Sequence, residues 1–127
     1  METARAEIDI ARPPAEVWAV VGEFGGLTTW MPGVTSCRVE GQDRIVEALG
    51  MTITEHLVDK DDSGHSLTYA IVAGAPVEHH RAVVSVSPGD GGSHVAWTVE
   101  AGPKGVAGLM ATTYQAALDA LKEQLER

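Results

Sequence analysis

The chain is poor in the residues that build whole classes of site. It holds one cysteine, Cys37, among 127 residues. A single thiol closes no internal disulfide and leaves a cysteine-based metal site without partners, so the chain reads as a reduced, cytoplasmic protein. Cations are scarce too: nine Lys and Arg stand against eighteen Asp and Glu, a net charge of -9. Those nine form no run. A nucleic-acid binder presents a basic patch to phosphate, and an anionic membrane asks for the same, so neither is expected as a partner. No apolar run approaches the roughly 18 residues of a membrane span. The first ten residues alternate charge with apolarity and lack the apolar core of a signal peptide. Gly22-Glu23-Phe24-Gly25-Gly26 has no Lys-Ser/Thr and follows a helical stretch, unlike a phosphate loop. There is no Gly-x-Ser-x-Gly. No cofactor is expected.

What is present is the patterning of one small domain spanning residues 1–127. Residues 4–11 place Ala4, Ala6, Ile8 and Ile10 on one side and Arg5, Glu7 and Asp9 on the other, the period of a half-buried strand. Pro13-Pro14 stops it, and Pro14 suits the first turn of a helix running to about residue 24. Gly25-Gly26 breaks that helix, and a second short one is predicted over 27–31, before Pro32-Gly33. Six further strands are predicted at 34–40, 44–49, 51–59, 66–73, 78–87 and 94–101. The breaks between them are short, as in hairpins, so the sheet should be antiparallel. Residues 105–126 contain no proline and carry a stripe at Val106, Met110, Tyr114, Ala117, Leu121 and Leu125, which predicts one long helix. Strand, two short helices, six strands and a long helix make an α+β fold. Its curved seven-stranded sheet has one apolar face, and only the C-terminal helix is large enough to cover it.

Strand alternation then sorts the side chains. Leu67, Tyr69 and Ile71 share one face, as do His80, Ala82, Val84 and Val86, and Val95, Trp97 and Val99. In the row Met51, Ile53, Glu55, Leu57 a carboxylate falls among apolar residues, and burying it without a partner is costly. Glu55 is therefore a candidate general acid or base, with a structural hydrogen bond, for instance to an Arg, Tyr or backbone amide, as the plainer reading. His80 is the candidate proton-transfer partner. From the long helix Met110, Thr113 and Tyr114 should face the sheet. Tyr69, Trp97 and these three would wall a pocket of the aromatic, sparsely polar kind that holds small molecules. Trp18 should bury against the sheet, and His56, His65 and His94 should lie on outer faces or turns. Glu78 and His80 could meet one ion, but two ligands are too few for a metal site, and none is expected. A one-residue slip of register would exchange Glu55 for His56 and His80 for His79.

The segments Ile10-Ala11-Arg12-Pro13-Pro14-Ala15-Glu16-Val17-Trp18 and Trp30-Met31-Pro32-Gly33-Val34, with Thr54-Glu55-His56-Leu57, Leu67-Thr68-Tyr69 and the strand pair through Trp97, carry a resemblance over essentially the whole chain. It resembles the START-like (SRPBCC) superfamily with the helix-grip fold, in particular the bacterial polyketide cyclase/dehydrase branch. The resemblance implies an internal pocket with Trp30 and Met31 at its entrance, occupied by a small apolar, aromatic or polyketide-like molecule. Two activities stay open. One is cyclase, aromatase or dehydratase chemistry, with Glu55 and His80 enolising a carbonyl compound and dehydrating its aldol product. The other is a carrier or sensor that leaves its ligand unchanged; a third reading, a structural or interaction domain whose own side chains fill the cavity, needs no ligand. The chain is expected to act as a monomer or homodimer.

Overall fold

The computed structural model describes residues 2–127. Its elements run β1 (Glu2–Ile10), α1 (Pro14–Val21), a 3-10 turn (Leu27–Thr29), β2 (Val34–Glu40), β3 (Asp43–Ala48), β4 (Met51–Asp61), β5 (Ser66–Ala73), β6 (His79–Gly89), β7 (Gly92–Gly102) and α2 (Val106–Leu125). All seven strands join one antiparallel sheet in the order β1-β7-β6-β5-β4-β3-β2. This is the α+β helix-grip architecture predicted.

The differences lie in the short helices. α1 stops at Val21, with Gly22 as its C-cap; a Cβ at Gly22 would fall 2.5 Å from the Trp18 indole, so only glycine fits there. The second helix shrinks to one 3-10 turn. Gly25-Gly26 and Pro32-Gly33 leave five residues between them, fewer than the two turns that make a helix worth its nucleation.

Helix α2 lies along β1 and β7. It buries Ala107, Tyr114, Ala117, Leu118 and Leu121 against the sheet. Its polar side chains also serve the exposed edge of β1. Gln115 both accepts from the Glu7 N–H (3.2 Å) and donates to the Glu7 carbonyl (2.9 Å). Lys122 donates to the Asp9 carbonyl at 2.7 Å, and Glu126 accepts from the Ala11 N–H at 2.8 Å. Alternate residues of the strand thus find partners on the helix, and an edge that would otherwise invite another strand is closed.

The other end of the sheet bends away from α2. Register shifts on the β4–β5 pair skip Val58 and Val72, which protrude 41% and 59% exposed. An extra residue on one strand of a pair increases its twist and bend. Strands β3, β4 and β5 therefore stand off the helix rather than packing on it, and a cavity opens between them.

Candidate functional site

The cavity has a volume of about 220 Å³. Arg44, Val46, Ile53 and Glu55 wall it from β3 and β4, Tyr69 and Ile71 from β5, Trp97 from β7, and Met110, Thr113 and Tyr114 from α2. Leu27, Met31 and Pro32 border it on the side of the 3-10 turn. Val34, Ala48, Met51, Leu49 and Leu109 complete the lining; the last three are 40%, 77% and 72% exposed, so the mouth opens among them. Leu49 and Gly50 both take positive φ, 52° and 78°, at the centre of the β3–β4 hairpin. Asn-Gly is the usual occupant of such a turn. Here a strained leucine stands in its place, its side chain over Gly33 at the rim of the mouth.

Of the residues singled out from the sequence, Glu55, Met31, Tyr69, Trp97, Met110, Thr113 and Tyr114 line the cavity, whereas Trp30 and His80 do not. The 3-10 turn carries Trp30 inward, 6% exposed, with its ring 5.9 Å from that of Trp97 and its buried Nε1 without a partner among the described residues. The Thr113 hydroxyl donates back to the Leu109 carbonyl at 3.3 Å.

His80 is placed by a parting of the sheet. The β5–β6 ladder runs only from Ser66↔Ser85 to Tyr69↔Ala82. Beyond it the imidazole takes the place of a main-chain acceptor: the Ile71 N–H donates to His80 Nδ1 at 3.0 Å. The ring's other nitrogen, Nε2, lies 3.3 Å from the Tyr114 hydroxyl. Burial lowers the His80 pKa to about 4, so the ring is neutral at pH 7.

Glu55 is not a lone carboxylate. Arg44 is its cross-strand neighbour, and Arg44 Nε donates to Glu55 Oε1 at 2.7 Å, with the two side chains 4% and 12% exposed. Arg44 Nη1 donates to the Phe24 carbonyl at 2.9 Å. The guanidinium carbon sits 4.4 Å from the Phe24 ring centre and 4.8 Å from that of Tyr69. The arginine is thereby held by a carboxylate, a carbonyl and two aromatic rings. Sequence reasoning passed over Arg44, although the β3 row Arg44, Val46, Ala48 carries the same signal as Glu55, one charge in an apolar row.

Trp97 stacks on Tyr114 at 3.9 Å with the rings parallel to within 1°. Its Nε1–H donates to the Tyr69 hydroxyl at 3.1 Å, which is 3.2 Å from the Tyr114 hydroxyl. Burial raises the pKa of both tyrosines above the ordinary phenol value, so both stay protonated. Among the described residues no three His, Cys, Asp or Glu side chains are grouped to hold a metal ion. Among the described residues no helix is long and apolar enough to cross a membrane.

A curved antiparallel sheet gripping one long helix around an apolar cavity defines the START-like helix-grip class. Within it, the chain belongs to the polyketide cyclase / dehydrase and lipid transport family, whose model matches residues 1–126. Among curated proteins none matches. Among solved structures the chain is similar to XoxI from Bacillus cereus, at 27% identity over 100% of this chain and 99% of that one, TM-score 0.92. It is likewise similar to an uncharacterized protein from Bacillus thuringiensis, at 25% identity over 99% of this chain and 100% of that one, TM-score 0.92. Ara h 8.0201 shares the fold at 20% identity, with 99% of each chain covered and a TM-score of 0.78.

Proposed function

We propose that the chain binds one small apolar organic molecule in the cavity and releases it unchanged. The observation that carries this reading is the cavity itself: about 220 Å³, walled mainly by apolar side chains, with an apolar mouth. A dry apolar cavity of about 150 Å³ accepts benzene, so this one suits a compound of one or two rings. Acid–base turnover through Glu55 and His80 is the second reading, and the family's cyclase and dehydrase members favour it. It needs a base with a free lone pair. Both nitrogens of His80 are committed, one as acceptor and one to Tyr114, and His80 lies outside the cavity lining, so Glu55, held by Arg44 through Oε1 alone, would have to act without it.

The test is a mass-spectrometric screen of the purified protein against one- and two-ring aromatic and polyketone compounds, scored for retention and for change. Retention of a compound at its original mass is expected. A compound returned dehydrated or cyclised would overturn the carrier reading in favour of the second.

A further inference from the structure

The sheet ends in two edge strands, and only one of them is covered. Gln115, Lys122 and Glu126 of α2 close the β1 edge. At the β2 edge, Glu40 and Asp43 flank the two-residue turn Gly41-Gln42, the position of a pair that exchanges main-chain hydrogen bonds. Alternation along the ladder then turns the main chain of Arg38 toward β3 as well, and directs the N–H and C=O of Cys37 and Val39 outward. Among the described residues no main-chain hydrogen bond outside the ladder involves Cys37 or Val39. Such an edge is a template for one more strand.

The side chains select the strand that fits. Val39 is 50% exposed. Arg38 and Glu40 stand on the other face of β2, both exposed, with Arg38 Nε donating to Glu40 Oε2 at 2.7 Å. Two antiparallel copies of β2 related by a two-fold at Val39 would set Val39 opposite Val39. Arg38 of each copy would then lie opposite Glu40 of the other, and two cations and two anions would alternate across the seam. Other registers lack this match. A two-fold at Cys37 would set Arg38 opposite Ser36 and Glu40 opposite Val34, leaving both charges without a cross-strand partner. A two-fold at Arg38 or at Glu40 would set like charges directly opposite, which is destabilising.

We infer that β2 is the contact edge of a homodimer, in which it pairs antiparallel with β2 of a second copy about a two-fold at Val39. The two outward groups of Val39 are exchanged between the copies, and one sheet runs through both. The interface is isologous, so each contact occurs twice.

The test is analytical ultracentrifugation of the whole chain at rising concentration, up to about 1 mM. Each copy carries a net charge of -9, so the copies repel at long range. Salt at about 0.15 M screens that repulsion beyond about 8 Å and leaves charges in contact to act. A concentration-dependent dimer is expected. Arg38→Glu and Glu40→Arg should each weaken it about tenfold, because each variant alone faces like charges at two places. An equimolar mixture of the two variants should regain the wild-type dimer. In the mixed pair the introduced glutamate meets the introduced arginine, and Glu40 of one chain meets Arg38 of the other. A wild type that stays monomeric, or a dimer indifferent to the two variants, would overturn the inference, as would a mixture no tighter than its components. A second measurement needs no variant: amide hydrogen exchange at Val39 should slow as the wild-type concentration rises through the dimer transition. Exchange at Val39 that is independent of concentration would overturn the inference.

Discussion

Replacing Arg44 by methionine is expected to destabilise the fold by about 3–5 kcal/mol, the usual result of removing one partner from a buried ion pair. The loss has three parts. Glu55 is left as an uncompensated carboxylate, the Phe24 carbonyl loses its donor, and the rings of Phe24 and Tyr69 lose the cation over their faces. The further exchange of Glu55 for leucine should restore most of the loss, because an apolar pair of similar volume has no charge left to desolvate. Urea unfolding of the wild type, Arg44→Met, Glu55→Leu and the double variant yields the coupling directly. A cost below about 1 kcal/mol for Arg44→Met would place the pair in the class of solvated surface bridges. The double variant also bears on function. If the pair only supports the cavity wall, a stable Arg44→Met/Glu55→Leu protein still takes up an apolar compound.

The second large effect is on pH. The unfolded chain binds a proton at His80 near the ordinary value of 6.5, whereas the folded chain takes it only near 4, because burial opposes the charge. Neutral His80 therefore contributes stability that is fully present above pH 6.5 and is lost as pH falls from there through 4. The loss is of order 2 kcal/mol, allowing for water that reaches part of the ring. His94 acts in the opposite sense. Its hydrogen bonds to Asp9 and Glu7 raise its pKa, so its smaller contribution is full below 6.5 and declines as pH rises through the folded value. An NMR titration of the ring protons should show His94 charging above pH 6.5 and His80 still neutral at pH 5. The difference in unfolding free energy between the wild type and His80→Asn, followed from pH 7 to pH 4, isolates the His80 part. A difference that does not change with pH would mean that the ring is solvated in the folded state.

Much of the fold was legible because its signals are local. Alternation along β1 and β5, the proline pair before α1 and the proline-free stripe of α2 each follow from the period of one element. The site was legible where those periods hold, hence the placing of Tyr69, Trp97, Met110, Thr113 and Tyr114. Arg44 was within reach by one further step. Counting outward from the hairpin turn Leu49-Gly50 pairs Ala48 with Met51 and then Arg44 with Glu55, so two opposite charges in two apolar rows were bound to face each other. The rest depends on where strands part or break register. Nothing local to His80 announces that the β5–β6 ladder ends at Tyr69 and Ala82, and that ending turns its ring from the cavity to the Ile71 N–H. The skipped Val58 and Val72 are of the same kind, since a bulge belongs to a pair of strands and not to either sequence. Trp30 was assigned to the entrance by resemblance, and the orientation of one 3-10 turn decides otherwise.

The claim on which the rest stands is that the space between α2 and strands β3 to β5 is an open apolar cavity that a small molecule can enter. Titration with benzene, followed by methyl NMR, tests it whatever the natural ligand is. Saturable shifts are predicted at the methyls of Val46, Ile53, Ile71 and Met110, which wall the cavity, and none at Val17 and Leu118, which are buried outside its lining. Shifts absent from all of these methyls up to the solubility of benzene would show that the chain's own side chains fill the space, and would contradict the account.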